Sequence, residues 1–259
     1  MTAMAANQSF IKHNSQVNSN ALLVEASGLA LLSKTLLDNS ILGSELCIPK
    51  VLAVNKNQLE IEYIQSQRPS DSHFKTLGVG LAKLHTIQQP HFGLEHDNYI
   101  GLNPQPNCIS YNWGQFFYQY RLQYQVSLIA DSHVKQRFQT LLNTHQAKLM
   151  EFLNNSCSSP SLVHGDLWSG NVLFDKQRVW LIDPAVYYAD SEVDIAMTEM
   201  FGGFDAAFYQ AYQTVRPFTA QYPIKKRIYN AYHYLNHYNL FGDSYLAGCE
   251  QGLGMIEAL

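Results

Sequence analysis

The stretch His164-Gly165-Asp166-Leu167-Trp168-Ser169-Gly170-Asn171, with the Asp183-Pro184-Ala185 that follows, constrains this chain more than any other feature. Between the two, VLF at 172–174 and VWLI at 179–182 read as short strands around the polar turn Asp175-Lys176-Gln177-Arg178. Closing that hairpin carries Asp166 and Asn171, at its entrance, towards Asp183 at its exit. A carboxylate and an amide oxygen at the two ends of a tight hairpin suit Mg²⁺, a hard cation that takes oxygen ligands and shares its shell with substrate phosphates. Asp166 is then left to accept a proton from a hydroxyl. Taken singly, the three would be ordinary turn and cap residues. Their order and spacing around a strand pair point to a site.

The chain has 259 residues, 46% of them apolar and 15% charged, enough for an ordered globular core of one to two domains. Lys plus Arg number 17 against 21 Asp plus Glu, a net charge of -4, and the one basic cluster is Lys225-Lys226-Arg227. Nucleic acid is therefore not expected as a partner. Cys47, Cys108, Cys157 and Cys249 lie far apart with no CxxC pair, which suggests neither a zinc site nor a disulfide framework and fits a reducing compartment. The opening MTAMAANQSF lacks the basic and apolar regions of a signal peptide, and no apolar run approaches the ~18 residues of a membrane span. A cytoplasmic protein with no membrane partner is expected.

No internal repeat or long linker divides the chain. SFIKH at 9–13 reads as a strand, and Ser19 or Asn20 can cap a helix over about 21–37. VLAV at 51–54 and LEIEYI at 59–64 form a hairpin around Asn55-Lys56-Asn57. From residue 70 the period becomes helical, through Phe74, Leu77, Leu81, Leu84 and Ile87, with Ser70 or Asp71 as cap. A Pro/Asn/Gly-rich loop at 90–107 precedes helices at about 111–130 and 133–153, and helical patterns return at 192–212 and from 223 onward.

An Asp followed five positions later by an Asn, with a further Asp to hold metal, is the arrangement of phosphoryl-transfer catalysts, which also need a phosphate-contacting lysine and a helix glutamate to hold it. Lys12 sits in the middle of the first strand. Glu25 lies between Leu22 and Leu29 on the apolar face of the next helix, where a carboxylate needs a cation. Other signals are weaker. His233 and His237, spaced i, i+4, have no acidic partner nearby and read as packing or surface; His85 ends an amphipathic helix and reads as packing. Gly202-Gly203 is not in a strand-to-helix phosphate context. Tyr229, Tyr232, Tyr234 and Tyr238 read as core or groove wall.

FIKHN, EASGL, CIPKVLAV, EYI, LAKLH, FGLEHDN, PQPN, HGDLWSGN and IDPAVYYADSEVDIAMTEMFGGF, with a Tyr-rich tail, together resemble the fructosamine kinase (ketosamine-3-kinase) family over nearly the whole chain from residue 10. Trp168 stands where the wider aminoglycoside and choline kinase group usually carries His. The resemblance implies an α+β, two-lobed, protein-kinase-like fold, with a small β lobe carrying one helix (1–64) and a larger, mainly helical lobe (65–259). It implies ATP-dependent phosphorylation of a sugar hydroxyl on a ketosamine, free or as glycated lysine, with ATP and Mg²⁺ as cofactors. Carried over, Asp166 is the base, Asn171 and Asp183 are Mg²⁺ ligands, Lys12 contacts phosphate and Glu25 partners it. Glu62, Tyr63 and Ile64 become the hinge whose backbone meets adenine, and Asp194 braces the catalytic loop; Trp168 reads either as a face that stacks on the sugar or as plain packing.

The chain departs from the family in one respect: eleven glycine-free residues, MTAMAANQSFI, precede Lys12 where the family has a glycine-rich strand-turn-strand. The small lobe is thus expected to be incomplete, with unpaired strand edges near 9–13 or 59–64 and weak ATP binding. Another small-molecule kinase on the same fold, with an aminoglycoside-like or choline-like acceptor, and a truncated or non-catalytic kinase-like binding protein are the alternatives.

Overall fold

The computed structural model describes residues 9–14, 19–43 and 45–259. The reading of a missing glycine-rich hairpin therefore falls, for residues 1–8, outside the described residues. Ser9–His13 (β1) pairs antiparallel with Gln58–Glu62 (β4), setting Lys12 opposite Leu59, and β4 pairs in turn with Val51–Val54 (β3). Asn55 Oδ1 accepts from the Asn57 and Gln58 amides and closes the turn between β3 and β4. The sheet order is β1-β4-β3. The expectation of an unpaired edge at 59–64 is corrected over Gln58–Glu62, because β4 is the central strand; among the described residues the edges are β1 and β3.

Helix α1 (Ala21–Asp38) begins where Ser19 Oγ accepts from the Ala21 amide, at 3.1 Å, and buries Leu22, Leu29, Leu32 and Leu36 along one face. Leu46–Cys47 (β2) runs parallel to Val179–Leu181 (β9), which pairs antiparallel with Val172–Phe174 (β8). The turn joining β8 and β9 is 175–178, as the sequence suggests. Helix α2 (Asp71–Thr86) starts at a capping box between Ser70 and His73.

The stretch 90–107, expected as loop, contains a hairpin of Asn98–Ile100 (β5) and Asn103–Gln105 (β6). Three-residue strands with Pro104 inside one of them carry no readable period. Trp113–Phe116 (α3), a π-helical stretch Phe117–Gln123 and Tyr124–Ser127 (α4) form one helical run, followed by Ser132–Ser156 (α5), capped by Asp131. Ser161–Val163 (β7) pairs antiparallel with Tyr187–Ala189 (β10).

The helical pattern expected over 192–212 is two helices, Glu192–Thr198 (α6) and Ala206–Val215 (α7). Phe201, Gly202 and Gly203 between them all take positive φ, a conformation that ends a right-handed helix. Likewise Tyr222–Phe241 (α8) and Leu246–Glu257 (α9) are separated at Gly242, φ +84. One apolar core lies within the helical part, around Trp113, Phe116, Phe117, Tyr229 and Leu253. A second joins α1 and β4 to α2, β8, β9 and α7 through Leu29, Leu59, Leu81, Val172, Leu181 and Phe208. No described helix is long and apolar enough to cross a membrane.

Candidate active site

The β8–β9 register sets Val172 opposite Leu181, and the Ile182 amide donates to the Asn171 carbonyl at 3.1 Å. Asn171 and Asp183 are thereby brought together, and both line a cavity of about 250 Å³ with Lys12, Glu25, Asp166 and Trp168. Asn171 Nδ2 donates to the Asp166 carbonyl (2.8 Å) and to Asp166 Oδ2 (3.2 Å), which leaves Asn171 Oδ1 as its free acceptor. Lys12 Nζ bridges Glu25 Oε2 at 2.7 Å and Asp183 Oδ2 at 3.1 Å. A strand lysine, a helix glutamate and a hairpin aspartate, up to 171 positions apart (183 − 12), thus share one ion-pair cluster.

Burial pushes the Asp166 carboxyl up to about 7; Asn171's donation opposes the shift, while Asp183 and Asp194 add to it. Glu25 is likewise raised to about 7 by burial and by the charge of Asp183, against the pull of Lys12. Burial alone would lower the Lys12 ammonium, yet Asp183 and Glu25 outweigh it and hold it above its ordinary value. Two carboxylates, Glu25 and Asp183, therefore share one lysine beside the Asp166 carboxyl in the same cavity, and Glu25 Oε1 is buried with no hydrogen-bond partner. The surplus negative charge and the paired oxygen donors of Asn171 and Asp183 fit a hard divalent cation. Among the described residues no group of three or more His, Cys, Asp or Glu could hold a metal, so such a cation would complete its shell with phosphate and water oxygens.

The loop that presents Asp166 is held from below. Asp194, fully buried near the start of α6, accepts from the His164 amide (Oδ2, 2.7 Å) and the Gly165 amide (Oδ1, 2.8 Å), and His85 Nε2 lies 3.3 Å from Oδ2. Burial alone would raise that carboxyl, but its hydrogen bonds and the adjacent His85 hold it below the ordinary range. His164 is buried and kept neutral by desolvation; its Nε2 bonds the Ile182 carbonyl at 2.9 Å while Nδ1 accepts from the Asp166 amide at 3.3 Å. Gly165 has φ +82, and a Cβ there would collide with the Ala185 carbonyl. His85, read from sequence as packing, is thus part of the brace, its Nδ1 bonded to Tyr212 at 2.9 Å.

Trp168 is 37% exposed and meets Phe201 edge-on at 6.2 Å; Phe201 in turn lies 5.2 Å from the His237 ring. Tyr229, Tyr232 and His233 are buried, with Tyr229 and Tyr232 in the helical core. Glu62, Tyr63 and Ile64 are not brought into the Lys12–Asp166 cavity. They line a separate open groove of about 870 Å³ together with the 175–178 turn. Sequence reasoning missed Asn98 and Tyr99 of β5, which line the same cavity; the motif FGLEHDN contains the first of them.

A family model described as fructosamine kinase matches residues 1–258. A "Probable ketoamine kinase" of Synechocystis sp. is 36% identical over 253 residues, 94% of this chain and 81% of that protein. A chloroplastic protein-ribulosamine 3-kinase of Arabidopsis thaliana is 43% identical over 176 residues, 65% of this chain and 52% of its own length. The crystal structure of a "Putative fructosamine-3-kinase" from Haemophilus somnus superposes with a TM-score of 0.77 at 27% identity, covering 96% of this chain and 83% of the other.

Proposed function

The chain belongs to the fructosamine kinase family, and on that premise we propose that it is an ATP-dependent ketosamine kinase, transferring the γ-phosphoryl group of ATP to a sugar hydroxyl of its acceptor. The single observation that carries the reading is the convergence of Asp166, Asn171 and Asp183 with the Lys12–Glu25 pair on one cavity.

In this reading Asp166, which lines the cavity and whose carboxyl burial raises to about 7, accepts the hydroxyl proton as the acceptor oxygen bonds to phosphorus and ADP leaves. Lys12 holds the phosphates and Glu25 fixes Lys12. Asn171 Oδ1 and Asp183 would hold Mg²⁺, which when bound neutralises charge on the β- and γ-phosphates. Asp194 keeps the loop in place through the His164 and Gly165 amides. Trp168 offers an aromatic face to the sugar, and the backbone at Glu62–Ile64 is assigned to adenine. The lobes are residues 1–64 and 65–259, the acceptor extends to glycated lysine, and the setting is the cytoplasm, which the four unpaired cysteines favour.

The test is phosphorylation of fructosyl-lysine and ribulosyl-lysine by the purified chain with Mg-ATP, beside an aminoglycoside and choline. Ketosamine turnover well above the other acceptors is expected. Phosphorylation of an aminoglycoside or choline with none of either ketosamine would overturn the acceptor assignment.

A further inference from the structure

Asp183 takes φ +53, a backbone conformation that is strained for a non-glycine residue and persists only where the surroundings over-determine it. What determines it on the upstream side is plain: Ile182 is bonded through its amide to Asn171 and through its carbonyl to His164. On the downstream side Pro184 has no amide hydrogen to contribute, and the Ala185 amide donates to the His164 carbonyl at 2.9 Å. The carbonyls of Ala185 and Val186 are held by a different part of the chain, the β5–β6 hairpin.

Asn98 Nδ2 donates to the Val186 carbonyl at 2.8 Å, and Gln105 Nε2 donates to the Ala185 carbonyl at 3.1 Å. The two amides, opposite each other in the hairpin register, are joined by a bond from Gln105 Nε2 to Asn98 Oδ1 at 2.8 Å. Gln105 Oε1 accepts from the Tyr232 hydroxyl of α8 at 2.7 Å, and Asn98 Oδ1 also accepts from Asn107, which Arg121 holds in turn. Gln105 is fully buried and Asn98 is 5% exposed. Both amide hydrogens and the carbonyl oxygen of Gln105 are thus engaged, so its orientation is fixed. A buried amide with all its polar atoms engaged rigidifies what it touches.

We propose that Gln105, set by Tyr232 and linked to Asn98, is a positioning residue that holds the segment 183–186 so that the Asp183 carboxylate faces Asn171 and Lys12. The inference rests on the reading of Asp183 as a carboxylate for a phosphate-bound cation. Its effect is on the metal–nucleotide step, not on the acceptor.

The test compares Gln105→Leu, Tyr232→Phe and Asp183→Asn in the full chain. Mn²⁺ affinity in the presence of ADP is measured by electron paramagnetic resonance, metal-free ADP affinity by calorimetry, and melting temperature alongside. Groups that orient metal ligands typically contribute ~10-fold or more to metal affinity. Gln105→Leu is therefore expected to weaken Mn²⁺ by that order with metal-free ADP binding unchanged, and Tyr232→Phe, which loses one hydroxyl and keeps the fold, to weaken it less. Unchanged Mn²⁺ affinity in Tyr232→Phe and Gln105→Leu, with a lowered melting temperature and a strong loss in Asp183→Asn, would make the chain of amides merely structural. Unchanged Mn²⁺ affinity in Asp183→Asn would instead overturn the reading of the metal site itself. If Gln105→Leu does not fold, Tyr232→Phe decides.

Discussion

For Asp166 in its proposed role as base, burial sets both reactivity and its cost. A carboxyl raised to about 7 is a stronger base than an ordinary aspartate while still ionising near neutrality, which is the compromise a general base needs. The kcat/KM for acceptor is expected to fall with decreasing pH along a limb centred near 7, and Asp166→Asn to lose ~10²-fold or more in turnover. The same shift has a sign in stability. Because the folded-state value lies above the unfolded one, the favourable contribution is present below the ordinary carboxylate range and is lost as pH rises through about 7. Asp166→Asn removes the charge that folding buries, so it should melt above the parent at pH 8, with the gap closing as pH falls towards 4. A parent and variant that melt together at pH 8 would show that Asp166 carries no such burden, and a pH–rate limb far below 7 would say the same of catalysis.

Helix α2 connects packing to the loop that carries Asp166, because it ends in the His85 that bonds Asp194 and Tyr212. It lies against α7 at Gly78, where a Cβ would run into the Phe208 carbonyl and the Tyr212 amide, backbone atoms that cannot swing aside. Gly78→Ala is expected to cost about 2 kcal/mol by overpacking, a fall of ~4–8 °C in melting temperature for a chain of this size. A melting temperature within a degree of the parent would mean the two helices separate freely. The grouping of the candidate residues was legible in the sequence where it is local: hairpin closure alone brings Asp166, Asn171 and Asp183 to one cavity, and Glu25 stands out on an apolar helix face. What holds those residues was not. Gln105 reaches Ala185 and Tyr232, partners 80 and 127 positions away (185 − 105 and 232 − 105), through amide bonds that leave no period in the sequence. The breaks after Thr198 and at Gly242 also escape pattern reading, because apolar spacing continues across them while the backbone turns at positive φ.

At the scale of the whole molecule, the core that supports the β8–β9 hairpin is not confined to one lobe. Leu22, Leu29 and Leu32 of α1 and Leu59 and Ile61 of β4 form one cluster with Leu77 and Leu81 of α2, Val172 and Leu181 of the hairpin and Phe208 of α7. The small sheet leaves Phe10, Ile11, Leu52 and Val54 exposed, so its own strands bury little without α1 and the partners below it. Releasing residues 1–64 alone would open the shared cluster to water, each large side chain losing roughly 1.5–3 kcal/mol of burial. The molecule should therefore unfold in one transition, with calorimetric and van't Hoff enthalpies equal. All three tryptophans lie beyond residue 64, so hydrogen exchange at the β1 and β4 amides supplies the matching probe for the small lobe. Mg-ATP, which contacts both lobes in the proposed reading, should raise that single transition by mass action, ~2.7 kcal/mol at 100 times its Kd. Two resolved transitions, of which nucleotide moves only the one seen by tryptophan, would show that Lys12 and Glu25 take no part in holding it.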